Sequence, residues 1–153
     1  MLPATTRRVT EHTDHHINET IRLRTEIKVV EALASGPYGI EKRLAELDRE
    51  WDIERALEAN AASISLAGFA LGAFVSRRFF VLPAVVAGFL LQHALQGWCP
   101  PVPVLRRLGM RTQTEIEQER YALKLLRGDF KEVASPDKNV APDQAEVLRA
   151  VRK

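Results

Sequence analysis

The chain has 153 residues with 22 Lys and Arg against 20 Asp and Glu, a formal net charge of +2, and 46% hydrophobic residues, averages that suggest an ordinary soluble domain. The distribution excludes that reading: of these 42 charged side chains only Arg77 and Arg78 fall between Ala59 and Leu105, and the other 106 residues hold 40. A single cysteine, Cys99, excludes an internal disulfide framework, and the near-neutral balance gives no bias toward nucleic acid.

The first 30 residues contain no apolar run of signal-peptide length, so any membrane segment here is expected to be an uncleaved anchor. Residues 1–38 form a polar N-terminal segment, partly helical: the first dozen residues are expected to be disordered, and Asn18 to Leu33 can form a helix. His12, His15 and His16 stand beside Glu11 and Asp14, but no further ligand completes a metal site. Ala34 to Gly39 signals a turn. From Ile40 the steps Ile40, Leu44, Leu47 and Trp51 mark an amphipathic helix, charged on its other faces, over residues 39–58. No breaker separates it from the apolar block, so it is expected either to extend the first membrane helix or to lie on the membrane surface.

The apolar block, residues 59–98, divides at Arg77 and Arg78 into 59–76 and 79–98. At about 1.5 Å per residue these span roughly 27 and 30 Å, the thickness of a bilayer's hydrocarbon core. The expected fold is therefore all-α, a membrane helical hairpin of two transmembrane helices with cytoplasmic amphipathic helices on both sides. A buried pair inside a soluble protein would need amphipathic partners over both segments, and the short, charged remainder offers too few. The second segment is rich in large apolar residues and should insert alone; the first, mostly Ala, Gly and Ser, needs its partner.

Small residues in that first segment fall in one stripe: Ala61, Ser65, Gly68, Gly72 and Ser76. Lipid supplies no hydrophobic drive for association, so such a stripe works by close backbone approach. It packs either within one chain, against Ala84, Ala87, Ala94 and Gly88, or between two chains. Lys42, Arg43, Arg49 and Arg55 before the block and Arg106, Arg107 and Arg111 after it outnumber the two arginines in the turn, which places both termini in the cytoplasm. Whether the hairpin crosses the bilayer or only dips into it stays open.

Residues 99–112 form a proline-rich basic exit in which Pro100, Pro101 and Pro103 end the second helix. Thr112-Gln113-Thr114-Glu115 reads as a capping box and Gly128 as a stop, giving a cytoplasmic helix over 113–128 with Ile116, Leu123 and Leu126 on one side. Residues 129–153 read as a flexible tail, with a weak helix from Asp143.

Candidate functional residues lie at the exit. Gln92, His93 and Gln96 form a polar patch, suited either to interfacial anchoring and interhelical hydrogen bonding or to a solute or proton path. Trp98 marks the cytoplasmic interface. Cys99 is either a structural thiol or, were Arg106 and Arg107 to fold back on it, a reactive one. No phosphate loop, nucleophile elbow or metalloprotease motif occurs, and no catalytic residue, metal or cofactor is expected.

The run Leu91-Gln92-His93-Ala94-Leu95-Gln96-Gly97-Trp98-Cys99-Pro100, continuing through Leu105-Arg106-Arg107-Leu108-Gly109-Met110-Arg111-Thr112, resembles a family of small bacterial inner-membrane hairpins formerly grouped as a domain of unknown function. In that family a two-helix domain ends in Gly-Trp-Cys-Pro before a basic Leu-Gly segment, and some relatives fuse it to a rhodanese. The resemblance covers about residues 59–112. It implies a bilayer-embedded, dimerising part linked to thiocyanate movement. A rhodanese needs on the order of 100 residues, which neither flank provides, so no sulfur-transfer enzyme is expected. The reading is a multi-pass inner-membrane anchor or accessory subunit whose partners are the lipid bilayer, a second copy and a cytoplasmic protein. The alternatives are an oligomeric channel or carrier for a small sulfur-containing anion, and thiol chemistry at Cys99.

Overall fold

In a computed structural model the described residues, 4–131 together with positions 147 and 151, are helical with no strand. The expected tail linker beyond residue 131 lies outside the described residues, as does the weak helix from Asp143 except at positions 147 and 151, which are helical. The helices are α1 (Arg8–Glu11), α2 (His15–Ala34), α3 (Gly36–Leu47), α4 (Ile53–Phe74), a 3₁₀ turn (Arg77–Phe80) running into α5 (Val81–Gln96), α6 (Pro101–Arg107) and α7 (Gln113–Arg127). They fall into two compact units, one of residues 1–24 and 51–116, the other of 25–50 and 117–153.

The second unit buries Ala32, Ile40, Leu44, Leu47 and Leu123. Arg43 of α3 grips both carboxylate oxygens of Glu119 of α7, donating from Nε at 2.7 Å and from Nη2 at 3.1 Å. That pairing admits a carboxylate to the buried side of α7, which otherwise carries Ile116 and Leu123; Leu126, expected on the same side, is exposed.

The amphipathic helix does not run on into the apolar one. It ends at Leu47, and α4 restarts at Asp52, whose carboxylate caps it by accepting from the Arg55 backbone N–H at 2.7 Å. The Ile53 N–H, unsatisfied within a first helical turn, donates to the Arg111 carbonyl at 2.8 Å, and its side chain is fully buried. Trp51 consequently leaves the stripe and is exposed beneath the Arg55 guanidinium, 4.4 Å from the ring.

Two further expectations are corrected. The first dozen residues are not all unstructured: α1 packs Val9 into a core with Ile53, Leu57, Cys99 and Val102. The prolines after Cys99 do not merely end a helix. Gly97, at φ +76°, terminates α5, and Pro101 begins α6, a position where a missing N–H costs nothing. At the other end of the first unit Thr112 and Glu115 form the capping box reciprocally: the Glu115 carboxylate accepts from the Thr112 N–H at 2.8 Å, and the Thr112 hydroxyl accepts from the Glu115 N–H at 3.3 Å.

α4, with 22 residues, and the continuous segment Arg77–Gln96, with 20, are each long and apolar enough to cross a membrane. They run against each other in opposite chain directions, Glu54 meeting His93 at one end and Gly72 meeting Phe80 at the other. Their outward faces are bare: Leu66 is 69% and Phe74 89% exposed, and Val81, Val85 and Leu91 are exposed as well.

Candidate functional site

The small-residue stripe of α4 forms its buried face. Ala61, Gly68 and Gly72 are buried and Ser65 half-buried. The opposing surface is not the expected set of small residues. A Cβ on Gly68 would stand 2.7 Å from Pro83 Cδ, and one on Gly72 2.8 Å from the Phe80 ring, so both glycines receive bulky side chains of the same chain. Ala84, Ala87, Gly88 and Ala94 point elsewhere and are exposed. One small residue on each turn of one helix accommodates a ring on the other; matching small residues on both would leave a gap.

At the opposite end of the helix pair lies a charged cluster. Buried His93 of α5 donates from Nε2 to the Glu54 carboxylate of α4 at 2.8 Å, and Arg8 of α1 binds the same carboxylate at 3.0 Å. Arg8 also reaches the Ala94 carbonyl at 3.3 Å, near the C-terminus of α5, where a cation is favoured. Its backbone passes so close to Gly97 that a Cβ there would lie 2.5 Å from the Arg8 carbonyl carbon. His93 Nδ1 is buried with no hydrogen-bond partner. The geometry therefore makes His93 an interhelical hydrogen-bond donor, and Gln92 and Gln96 do not join it: the first is half-buried and the second exposed. Trp98 is half-buried beside the turn after α5.

Cys99 lies in the Val9, Ile53, Leu57, Val102 core and is 3% exposed. Burial pushes its thiol above the ordinary range; the Val102 backbone N–H opposes this, while the negative charge of Glu54 adds to it. Arg106 does not fold back on it. Fully buried, Arg106 holds the Glu115 carboxylate through both arms, at 2.7 and 2.8 Å, and donates to the Met110 carbonyl and to Asn18 Oδ1. Burial alone would raise the Glu115 carboxyl, but the Arg106 guanidinium and the Thr112 N–H outweigh it and hold it below the usual carboxylate range.

Compared with known proteins, the chain matches no family model, no curated protein and no solved structure. Among the described residues no three His, Cys, Asp or Glu side chains gather in a metal-binding group. The N-terminal histidines serve local contacts: His12 Nδ1 bonds the Arg8 carbonyl, and His16 Nδ1 faces the Thr20 hydroxyl.

Sequence reading named His93 and Cys99 but missed Glu54 and Arg8. The available signal was Glu54 itself, an acid one residue inside a helix that becomes apolar five residues later, at Ala59. Arg8 left no local signal, since its partner is 46 positions away.

Proposed function

We propose that the protein is a two-span anchor or accessory subunit of the bacterial inner membrane, with no catalysis of its own. α4 and the segment Arg77–Gln96 form its membrane hairpin, both termini are cytoplasmic, and the charged helices serve a cytoplasmic protein partner. The observation that carries this reading is the bare apolar surface of both helices set against an ion-paired base. An apolar surface of that extent is stable only against lipid or another protein. The base supports an even number of crossings: Arg106, after the helix pair, bonds Asn18, before it, at 2.7 Å, and Ile53 bonds Arg111. Both flanks then share one side. The resemblance of residues 91–112 to the rhodanese-linked hairpin leads to the same reading.

Since Gly68 and Gly72 lie against Pro83 and Phe80 of their own chain, a second copy would associate through the outer faces. The experiment is cysteine accessibility in inverted and right-side-out vesicles, with Ser76→Cys in a Cys99→Ser background, together with light scattering in detergent. Labelling of position 76 from the periplasmic side in a monomer or dimer is the expected result. Labelling from the cytoplasmic side would replace the crossing hairpin with a surface-lying one, and a larger ring would replace the anchor with a channel.

A further inference from the structure

Beside the buried Arg106 the first unit carries an open cavity of about 190 Å³, lined by residues of α2 and α6 and the turn after α6, among them His16, Thr20, Arg24, Arg106, Arg107 and Gly109. None of the lining residues is acidic. Acids adjoining these residues are engaged: Asp14 accepts from the His16 backbone N–H, Glu19 pairs with Arg22, and both Glu115 oxygens are held by Arg106. Arg24 and Arg107 have no ion-pair partner among the described residues, and the Nε of the fully buried Arg106 has none either. Gly109, at φ +88°, lets Arg24 approach: a Cβ there would stand 3.1 Å from its Nη1. The Thr20 hydroxyl is occupied, donating to the His16 carbonyl at 2.8 Å, so two guanidinium groups without a carboxylate partner and the His16 imidazole around a small open space form the receptor for an anion. Arginine's planar fork suits phosphate in particular.

We propose that this cavity binds a phosphate group. Its source is either the headgroup of an anionic phospholipid or a free phosphate. The lipid source rests on the anchor reading above, under which the cavity stands at the cytoplasmic interface, since α6 begins five residues after α5 ends.

The test uses the full chain purified in an uncharged detergent. In one arm native mass spectrometry reads the lipid retained from an equimolar mixture of phosphatidylglycerol and phosphatidylcholine. In the other, thermal unfolding is followed with inorganic phosphate against chloride at matched ionic strength. Each basic residue near a membrane surface contributes enough to change binding about fivefold, so R24Q/R107Q should lose phosphatidylglycerol about thirtyfold, whereas R77Q/R78Q in the turn should not. Selective retention of phosphatidylglycerol, lost in R24Q/R107Q, assigns the lipid source. Stabilisation by inorganic phosphate that the double variant lacks, without lipid preference, assigns the free one. Equal lipid retention and equal phosphate response in wild type and R24Q/R107Q overturn the site. If the double variant misfolds, R24Q and R107Q singly carry the test, each with about a fivefold loss. Vesicle labelling that places Ser76 on the cytoplasmic side while phosphate binding persists would remove the crossing and leave this site standing.

Discussion

Replacing Gly68 by alanine tests whether the glycine stripe works within one chain. The added methyl would stand 2.7 Å from Pro83 Cδ and 3.1 Å from Leu82 Cβ, whereas carbon atoms settle at about 3.5–4.0 Å. Neither contact yields to a rotamer change, since the Leu82 Cβ is fixed by the backbone and the Pro83 ring is rigid, so α4 and α5 must separate by close to 1 Å. Overpacking of this kind costs about 1–3 kcal/mol, while exchanging glycine for alanine inside a helix returns about 1 kcal/mol. A net loss of up to about 2 kcal/mol is expected for G68A. Gly88 supplies the control: nothing lies within 4 Å of a Cβ there, so G88A keeps the helix gain without the clash. The two variants should thus differ by the overpacking cost, about 1–3 kcal/mol in unfolding free energy, measured by circular dichroism in mixed micelles of rising SDS fraction. Light scattering run in parallel reports association. Equal stability of G68A and G88A would refute the packing argument. Dissociation of a dimer by G68A, with monomer unfolding unchanged, would move the stripe to a contact between chains.

Further outcomes follow from the charged clusters. Glu54→Ala removes the acceptor shared by buried His93 and half-buried Arg8 and should cost about 2 kcal/mol in the same unfolding assay; a neutral effect would show that neither cation depends on it. The depressed Glu115 carboxyl contributes stability that is complete above the ordinary carboxylate range and is lost as pH falls through its lowered value. The acid limb of a stability-against-pH curve should flatten in E115Q, and Arg106→Met, which strands the Glu115 carboxylate, should cost about 3 kcal/mol at pH 7. Native Cys99 should alkylate at least about tenfold more slowly than in SDS-unfolded protein, its rate climbing only above pH 9; fast labelling at pH 7 would contradict its burial.

What could be read from the sequence was set by contacts close along the chain. The capping box of α7 involves two residues three positions apart, and Gly128, at φ +93°, ends that helix as its type suggests. The two apolar helices were legible because length and composition alone define them. The break before α4 was not, since Glu50, Trp51 and Asp52 do not forbid a helix. The Arg111 carbonyl, 58 positions downstream, satisfies the Ile53 N–H and lets the chain restart there. α6 was missed for a related reason: the Pro-Pro pair reads as a helix stop, whereas Gly97 ends α5 and Pro101 starts the next helix, and only the packing of Val102 against Val9 and Ile53 reveals that role. In the candidate site, the polarity of His93 was visible and its partners were not, because Arg8 and Glu54 come from two other helices.

The bond between Asn18 and Arg106 bears on the order of assembly. Asn18 leaves the ribosome long before Arg106, and under the anchor reading the chain between them must place two apolar helices in lipid. Should only one helix insert, the two residues would finish on opposite faces of the bilayer. Arg106 would lack Asn18, the only one of its three partners that precedes the helices, and Asn18 would remain on the far side with α1. Under the proposed topology, closure of this bond therefore requires that both helices insert or that neither does. A chain with a single inserted helix would be left with an open, polar base.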